Sequence, residues 1–125
     1  IEASRLPYVT NKAITEMICN LVKLTTLSIS ANCSLDSRCL RQVYENISFL
    51  EAELPLKSLN LSNVVKMSDN ALIALSGLAP YLKKLDISWC RMITDRGLSM
   101  LAPKLQHLNE ILLDSCTEIS GIHFF

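Results

Sequence analysis

The chain repeats itself at an interval of 26 residues, and that period limits its architecture more than any other feature. Leu82-Lys83-Lys84-Leu85-Asp86-Ile87-Ser88-Trp89-Cys90 aligns with Leu108-Asn109-Glu110-Ile111-Leu112-Leu113-Asp114-Ser115-Cys116. Apolar residues match at the first, fourth and sixth places, and cysteine at the ninth. One step back stand Leu56, Leu59 and Leu61, with Val64 in the cysteine place. A further unit starts at Leu24, with Leu27, Ile29 and Asn32 in register, and Ile1, Ala3 and Leu6 fill later places of one more. A unit this short cannot bury its own apolar edge, so neighbouring units must stack.

The second half of each unit repeats as well. Three residues beyond the ninth place comes an apolar residue: Val9, Leu35, Met67, Ile93 or Ile119. A good helix N-cap follows at once: Thr10, Asp36, Ser68, Thr94 or Ser120. Such side chains can accept from the free amides of a first helical turn, worth ~1 kcal/mol. The pairs Ile14/Met17, Leu40/Val43, Leu72/Leu75 and Leu98/Leu101 then share one helix face. Pro80 and Pro103 help to end their helices. Each unit is therefore a short strand whose leucines point inward and polar residues outward, a turn, and a helix that returns the chain.

The chain is read as one array over residues 1–125. A partial unit covers 1–23, full units cover 24–55, 56–81 and 82–107, and a partial unit covers 108–125. Its start on Ile1 is expected of a piece of a longer array, in which Ile122, Phe124 and Phe125 would be covered by following sequence or by self-association. The step from Leu24 to Leu56 is six residues longer than the others, and the excess lies after Val43. It is expected to lengthen one outer helix and its return loop, which chain entropy tolerates cheaply. A sharper reading makes it an acidic knob for a partner, through Glu45, Glu51 and Glu53.

Charge narrows the function. Twelve basic and twelve acidic residues balance, against the basic excess of a nucleic-acid or anionic-membrane binder. No apolar run reaches the ~20 residues that span a bilayer. With 50% apolar residues the chain can bury enough to fold. Cys19, Cys33, Cys39, Cys90 and Cys116 are an odd number without a C-x-x-C pair, read as buried free thiols of a cytosolic or nuclear protein. The sequons at Asn32, Asn46 and Asn60 would matter only outside the cytosol. His107 and His123 sit in no ligand cluster, and three scattered glycines make no phosphate loop. The chain is therefore read as a non-enzyme without metal or cofactor, with a catalytic site formed only in three dimensions as the competing possibility.

Leu82 to Leu101, with Cys90, Ile93-Thr94-Asp95, Leu98 and Leu101, closely resembles the cysteine-containing leucine-rich repeat, L-x-x-L-x-L-x-x-C-x-x-I-T-D-x-x-L-x-x-L. Cys116-Thr117-Glu118-Ile119-Ser120 follows the same pattern, and earlier units follow it more loosely. The resemblance implies an α/β leucine-rich-repeat solenoid, right-handed, with parallel strands on a concave side and helices on a convex side. This repeat class is best known from F-box/leucine-rich-repeat proteins, the substrate receptors of SCF-type cullin ubiquitin ligases. The resemblance therefore implies a protein partner or ubiquitination substrate held by the repeats. Ligase adaptor and cullin would bind through an F-box outside this segment, since the repeat register already accounts for Leu6 beside Pro7. The same repeat also serves scaffolds in cytoskeletal or ciliary assemblies, which is the runner-up.

Out-facing strand places stacked across units define the candidate protein-binding surface: Ser28, Ser30, Asn60, Ser62, Asn63, Asp86, Ser88, Trp89, Leu112 and Asp114, continued by Glu2, Ser4, Arg5 and Ser115. Its small hydroxylated side chains allow another chain to approach closely. Trp89, the single tryptophan, is either an interface anchor or packing along the ladder edge. Lys83, Lys84, Arg91 and Arg96 read as solvated surface charge rather than a phosphate site. Cys90 and Cys116 should be stacked neighbours beneath the strands.

Overall fold

A computed structural model of the chain describes residues 1–5, 9–20, 23–49 and 52–119. Among them helices and strands alternate: α1 (Asn11–Asn20), β1 (Thr26–Ser28), α2 (Arg38–Phe49), β2 (Ser58–Asn60), α3 (Asp69–Leu78), β3 (Lys84–Asp86), α4 (Asp95–Leu101) and β4 (Glu110–Leu112). The expectations for Leu6, Glu51, Ser120, Ile122, Phe124 and Phe125 fall outside the described residues.

The strands lie side by side in chain order and are all parallel. Their register is that of the repeat. Leu27, Leu59, Leu85 and Ile111 stand opposite one another, and the first three are buried to 1% exposure or less. Burying each of them contributes ~1.5–3 kcal/mol. Ile1 to Ala3 adds one more rung, with Glu2 bridged to Ser28 and the Ala3 amide donating to the Ser28 carbonyl at 2.7 Å.

Each strand is only three residues long, yet the ladder runs on past its end. The sixth-place amides of Ile29, Leu61 and Ile87 donate to Asn60, Asp86 and Leu112. Two residues later the amides of Ala31, Asn63 and Trp89 donate to Ser62, Ser88 and Asp114. At this place the chain turns through a left-handed residue in every unit: Arg5, Ala31, Asn63, Trp89 and Ser115, with φ between 57° and 66°. The sequence hides this feature, because none of the five is glycine.

Behind the sheet α1 packs on α2, α2 on α3 and α3 on α4. One continuous core runs between the two layers, from Ile14 to Leu105. The extra residues after Val43 do lengthen α2, to twelve residues, and the return segment is tied back where the Leu54 amide donates to the Leu78 carbonyl at 3.0 Å. No described helix is long and apolar enough to cross a membrane.

Two helix caps differ from the expected form. Thr10 and Asp36 do accept from their own first turns, through the amides of Ala13 and Arg38. Ser68 and Thr94 make no such bond. They are held sideways instead, by the unit before: the Ser68 amide donates to Ser37 Oγ at 2.9 Å, and the Thr94 amide to Asp69 Oδ1 at 2.8 Å. The Asp36 amide likewise donates to Asn11 Oδ1 at 3.1 Å. A ladder of side-chain bonds thus links successive helix starts, stitching the units together where the β-ladder has ended.

The candidate binding face and its turn

Two of the rows of side chains that cross the open face of the sheet hold expected binding residues. Ser28, Asn60, Asp86 and Leu112 form the first, fixed by strand register. Ser30, Ser62, Ser88 and Asp114 form the second, two residues further on, with Glu2 and Ser4 prolonging the rows at one end. Eight of the ten expected surface residues lie in these two rows, while Asn63 and Trp89 stand in the turn beyond them.

The rows differ in how much hydrogen-bonding capacity they leave open. At the N-terminal end Ser4 and Ser28 share a hydrogen bond at 3.1 Å, and Ser30 Oγ donates to Ser4 Oγ at 2.9 Å. In the middle, Asn60 Oδ1 accepts the Ser62 amide at 2.9 Å and Asp86 Oδ1 accepts the Ser88 amide at 3.0 Å. These Asx turns spend one acceptor per side chain on closing the strand-end turn. Ser88 departs from the expectation of an accessible hydroxyl. It is only 7% exposed, and its Oγ accepts the Asp114 amide at 3.2 Å. Asn63 and Asp114 are exposed, while Ser28, Ser30, Asn60, Ser62, Asp86 and Leu112 are half-buried.

Trp89 occupies the left-handed turn beyond β3, with φ 66°. That backbone turns its ring outward: the side chain is 46% exposed, and the Arg91 guanidinium lies 5.3 Å from the ring centroid. The basic residues named with Arg91 do not gather around it. Lys84 opens β3 and reaches Glu110 at 3.8 Å, at the far end of the strand.

Beneath the turn the two ninth-place cysteines are buried donors. The Cys90 thiol donates to the Leu61 carbonyl at 3.1 Å and the Cys116 thiol to the Ile87 carbonyl at 3.0 Å, each reaching back one unit. Burial pushes Cys90 up to about 12 and also raises Cys116. Cys39, in α2, is pushed up to about 12 by the same cause. The expectation that all five thiols are buried fails for two: Cys19 is half-buried on the flank of α1, and Cys33, in the turn past Asn32, faces solvent.

A parallel ladder backed by a layer of helices is the geometry the repeat resemblance implied, and the comparisons agree. Residues 78–102 match a family model described as Leucine Rich repeat. The fold is that of a leucine-rich-repeat solenoid. The solenoid superposes on a chain in the crystal structure of the yeast Rad7 and Elc1 complex with a TM-score of 0.81 at 20% identity. The match covers 97% of this chain but 29% of that one. Arrays of this kind present protein-binding surfaces. Among the described residues no group of three or more His, Cys, Asp and Glu side chains is placed to hold a metal ion.

Proposed function

We propose that the solenoid is the substrate-recognition part of an SCF-type ubiquitin-ligase receptor, binding a protein across the open face of its sheet. The observation that carries the binding role is the in-register pair of rows from Ser28 to Leu112 and from Ser30 to Asp114. Small side chains along both rows let a partner backbone come close to the sheet, and the exposed polar groups of Asn63 and Asp114 can fix its position. Trp89 stands at the rim as an anchor of the type enriched at protein interfaces. The ligase assignment rests on the resemblance of the Leu82–Leu101 repeat to those of F-box receptors. A structural neighbour recorded in complex with a second protein is in keeping with a protein partner.

The test is affinity purification from cells of the protein that carries this array, beside a Ser62→Arg variant that fills the centre of the face. The expected result is a set of proteins retained by the first and lost with the second, together with ligase adaptor and cullin subunits. Unchanged capture by the variant, with its melting temperature intact, overturns the face. Recovery of cytoskeletal or ciliary proteins without ligase subunits overturns the ubiquitin assignment in favour of a scaffold.

A further inference from the structure

Large apolar side chains that stay exposed are informative when they cluster. Eight are exposed among the described residues, and three of these fall in two adjacent turns: Val65 (42% exposed), Trp89 (46%) and Met92 (54%). The turns lie side by side, because the Asn63 amide donates to the Ser88 carbonyl at 2.8 Å and Ser68 bridges to Met92. Lys66 and Arg91 belong to the same two turns and are exposed. Neither makes an ion pair among the described residues, whereas Lys84, Arg38 and Arg41 all do. The two turns thus combine three exposed apolar side chains with two exposed cations; Asp36, bridged to Lys66 through the backbone, is itself paired with Arg38.

Its geometry is preset. A left-handed φ costs an L-residue roughly 1–2 kcal/mol, and at this turn it is borne by the bulkiest side chain of the chain. The result is an exposed indole with the Arg91 guanidinium over its ring, 5.3 Å from the centroid. The open sheet face beside it is acidic on balance, with Asp86, Asp114, Glu2 and Glu110 against Arg5 and Lys84, the latter paired with Glu110. Glu118 stands in the Met92 place of the following unit. An acidic chain is thus turned away from the sheet and from the C-terminal side, and drawn to the rim between Lys66 and Arg91.

We infer that this rim docks an acidic peptide segment of a protein partner. One apolar side chain of the segment seats among Val65, Trp89 and Met92, and flanking carboxylates meet Arg91 and Lys66. The inference deepens the protein-recognition reading above by adding the chemistry of the recognised segment.

Trp89 is the only tryptophan in the chain, so its fluorescence reports occupancy without a label. The probe is an acetylated, amidated Glu-Asp-Glu-Leu-Asp-Glu peptide titrated into the full chain. The expected result is a saturable change in emission that added salt weakens, with affinity falling about tenfold or more in Arg91→Glu, since reversing an interface charge turns attraction into repulsion. Lys66→Glu should weaken it in the same sense. Both sites are exposed, so unchanged melting temperatures confirm that the variants fold. A peptide with lysine in place of every acid should leave the emission unchanged. The inference is overturned if the acidic peptide produces no saturable change, if Arg91→Glu binds it equally well, or if the lysine peptide binds as tightly. Peptide binding combined with a purification devoid of ligase subunits would sink the ubiquitin assignment and leave this site standing. Ligase subunits recovered with no peptide binding would do the reverse.

Discussion

The side-chain amide of Asn32 donates to the carbonyl of Ile29 at 2.7 Å, and to that of Ala3, one unit back, at the same distance. Ala3, Ile29, Leu61 and Ile87 occupy one repeat place. Cys116 serves Ile87 and Cys90 serves Leu61, each from the unit that follows. By that rule Ile29 should be served by the side chain of residue 64, but that of Val64 has no proton to give. Asn32 therefore covers two carbonyls with one NH2 group, its own assigned acceptor and the one that Val64 leaves.

This division of labour predicts a coupled pair. Asn32→Val removes the side-chain donor from both carbonyls and should cost about 1–3 kcal/mol. Asn32→Cys keeps one donor for Ala3 and loses the bond to Ile29. In a Val64→Cys background a thiol is present to serve Ile29, so Asn32→Cys should cost less there, by about 1 kcal/mol. Equilibrium urea denaturation of the four proteins measures the difference. Equal costs in both backgrounds would show that Val64 and Asn32 act independently.

The period, the apolar places and the helix faces were legible because burial repeats with them. Leu27, Leu59 and Leu85 need the same neighbours, and so they carry the same residue. Polar contacts between units were not legible. Thr94 has the composition of a helix cap, and only packing shows that its amide is taken by Asp69 from the preceding unit. The left-handed turn was hidden because its signal in sequence is glycine, and these five positions carry other residues. The candidate face was legible as a list but not in its accessibility: Ser88 follows the out-facing pattern, yet the Asp114 amide and the adjoining turns enclose it.

Asp69 and Gly97 should also behave as a pair. Asp69 holds the start of α4 by accepting from both the amide and the hydroxyl of Thr94, at 2.8 and 2.6 Å. A Cβ on Gly97 would run into that carboxylate. Asp69→Ala should lower stability by about 1–3 kcal/mol through the unserved Thr94 amide. Gly97→Ala alone should be destabilising as well, because it displaces the carboxylate. Combined, the two should cost clearly less than their sum, since the group that clashes has gone. Additive losses in thermal or urea unfolding would refute the contact.

At the left-handed turn, Ala31 allows a clean ranking. Its φ is 57°, where a β-branched side chain is least tolerated. Ala31→Val should lose about 1–2 kcal/mol or more. Ala31→Gly should come out close to wild type, its easier φ offsetting the extra freedom of its unfolded chain. If valine proved as stable as glycine, the turn would not be strained in solution.

Thiol reactivity should separate the cysteines into two groups. Thiolate is the reacting form, and burial has pushed Cys39 and Cys90 up to about 12 and raised Cys116. Burial thus both holds these three back from the thiolate form and shields them from reagent. Cys33 is exposed. Iodoacetamide on the native chain should therefore modify Cys33 first, with Cys39, Cys90 and Cys116 following only as fast as the chain opens. The sign for stability runs the same way. A thiol whose folded pKa is raised disfavours the native state once pH exceeds its unfolded value near 9.0, because the unfolded chain then gives up protons that the folded chain keeps. Stability should accordingly fall between about pH 9 and 12, and replacing Cys90 by serine should flatten part of that fall. Serine retains a hydroxyl proton for the Leu61 carbonyl, so the variant tests ionisation without removing the donor. A pH profile identical to that of the native chain would mean that Cys90 is already free to ionise when folded.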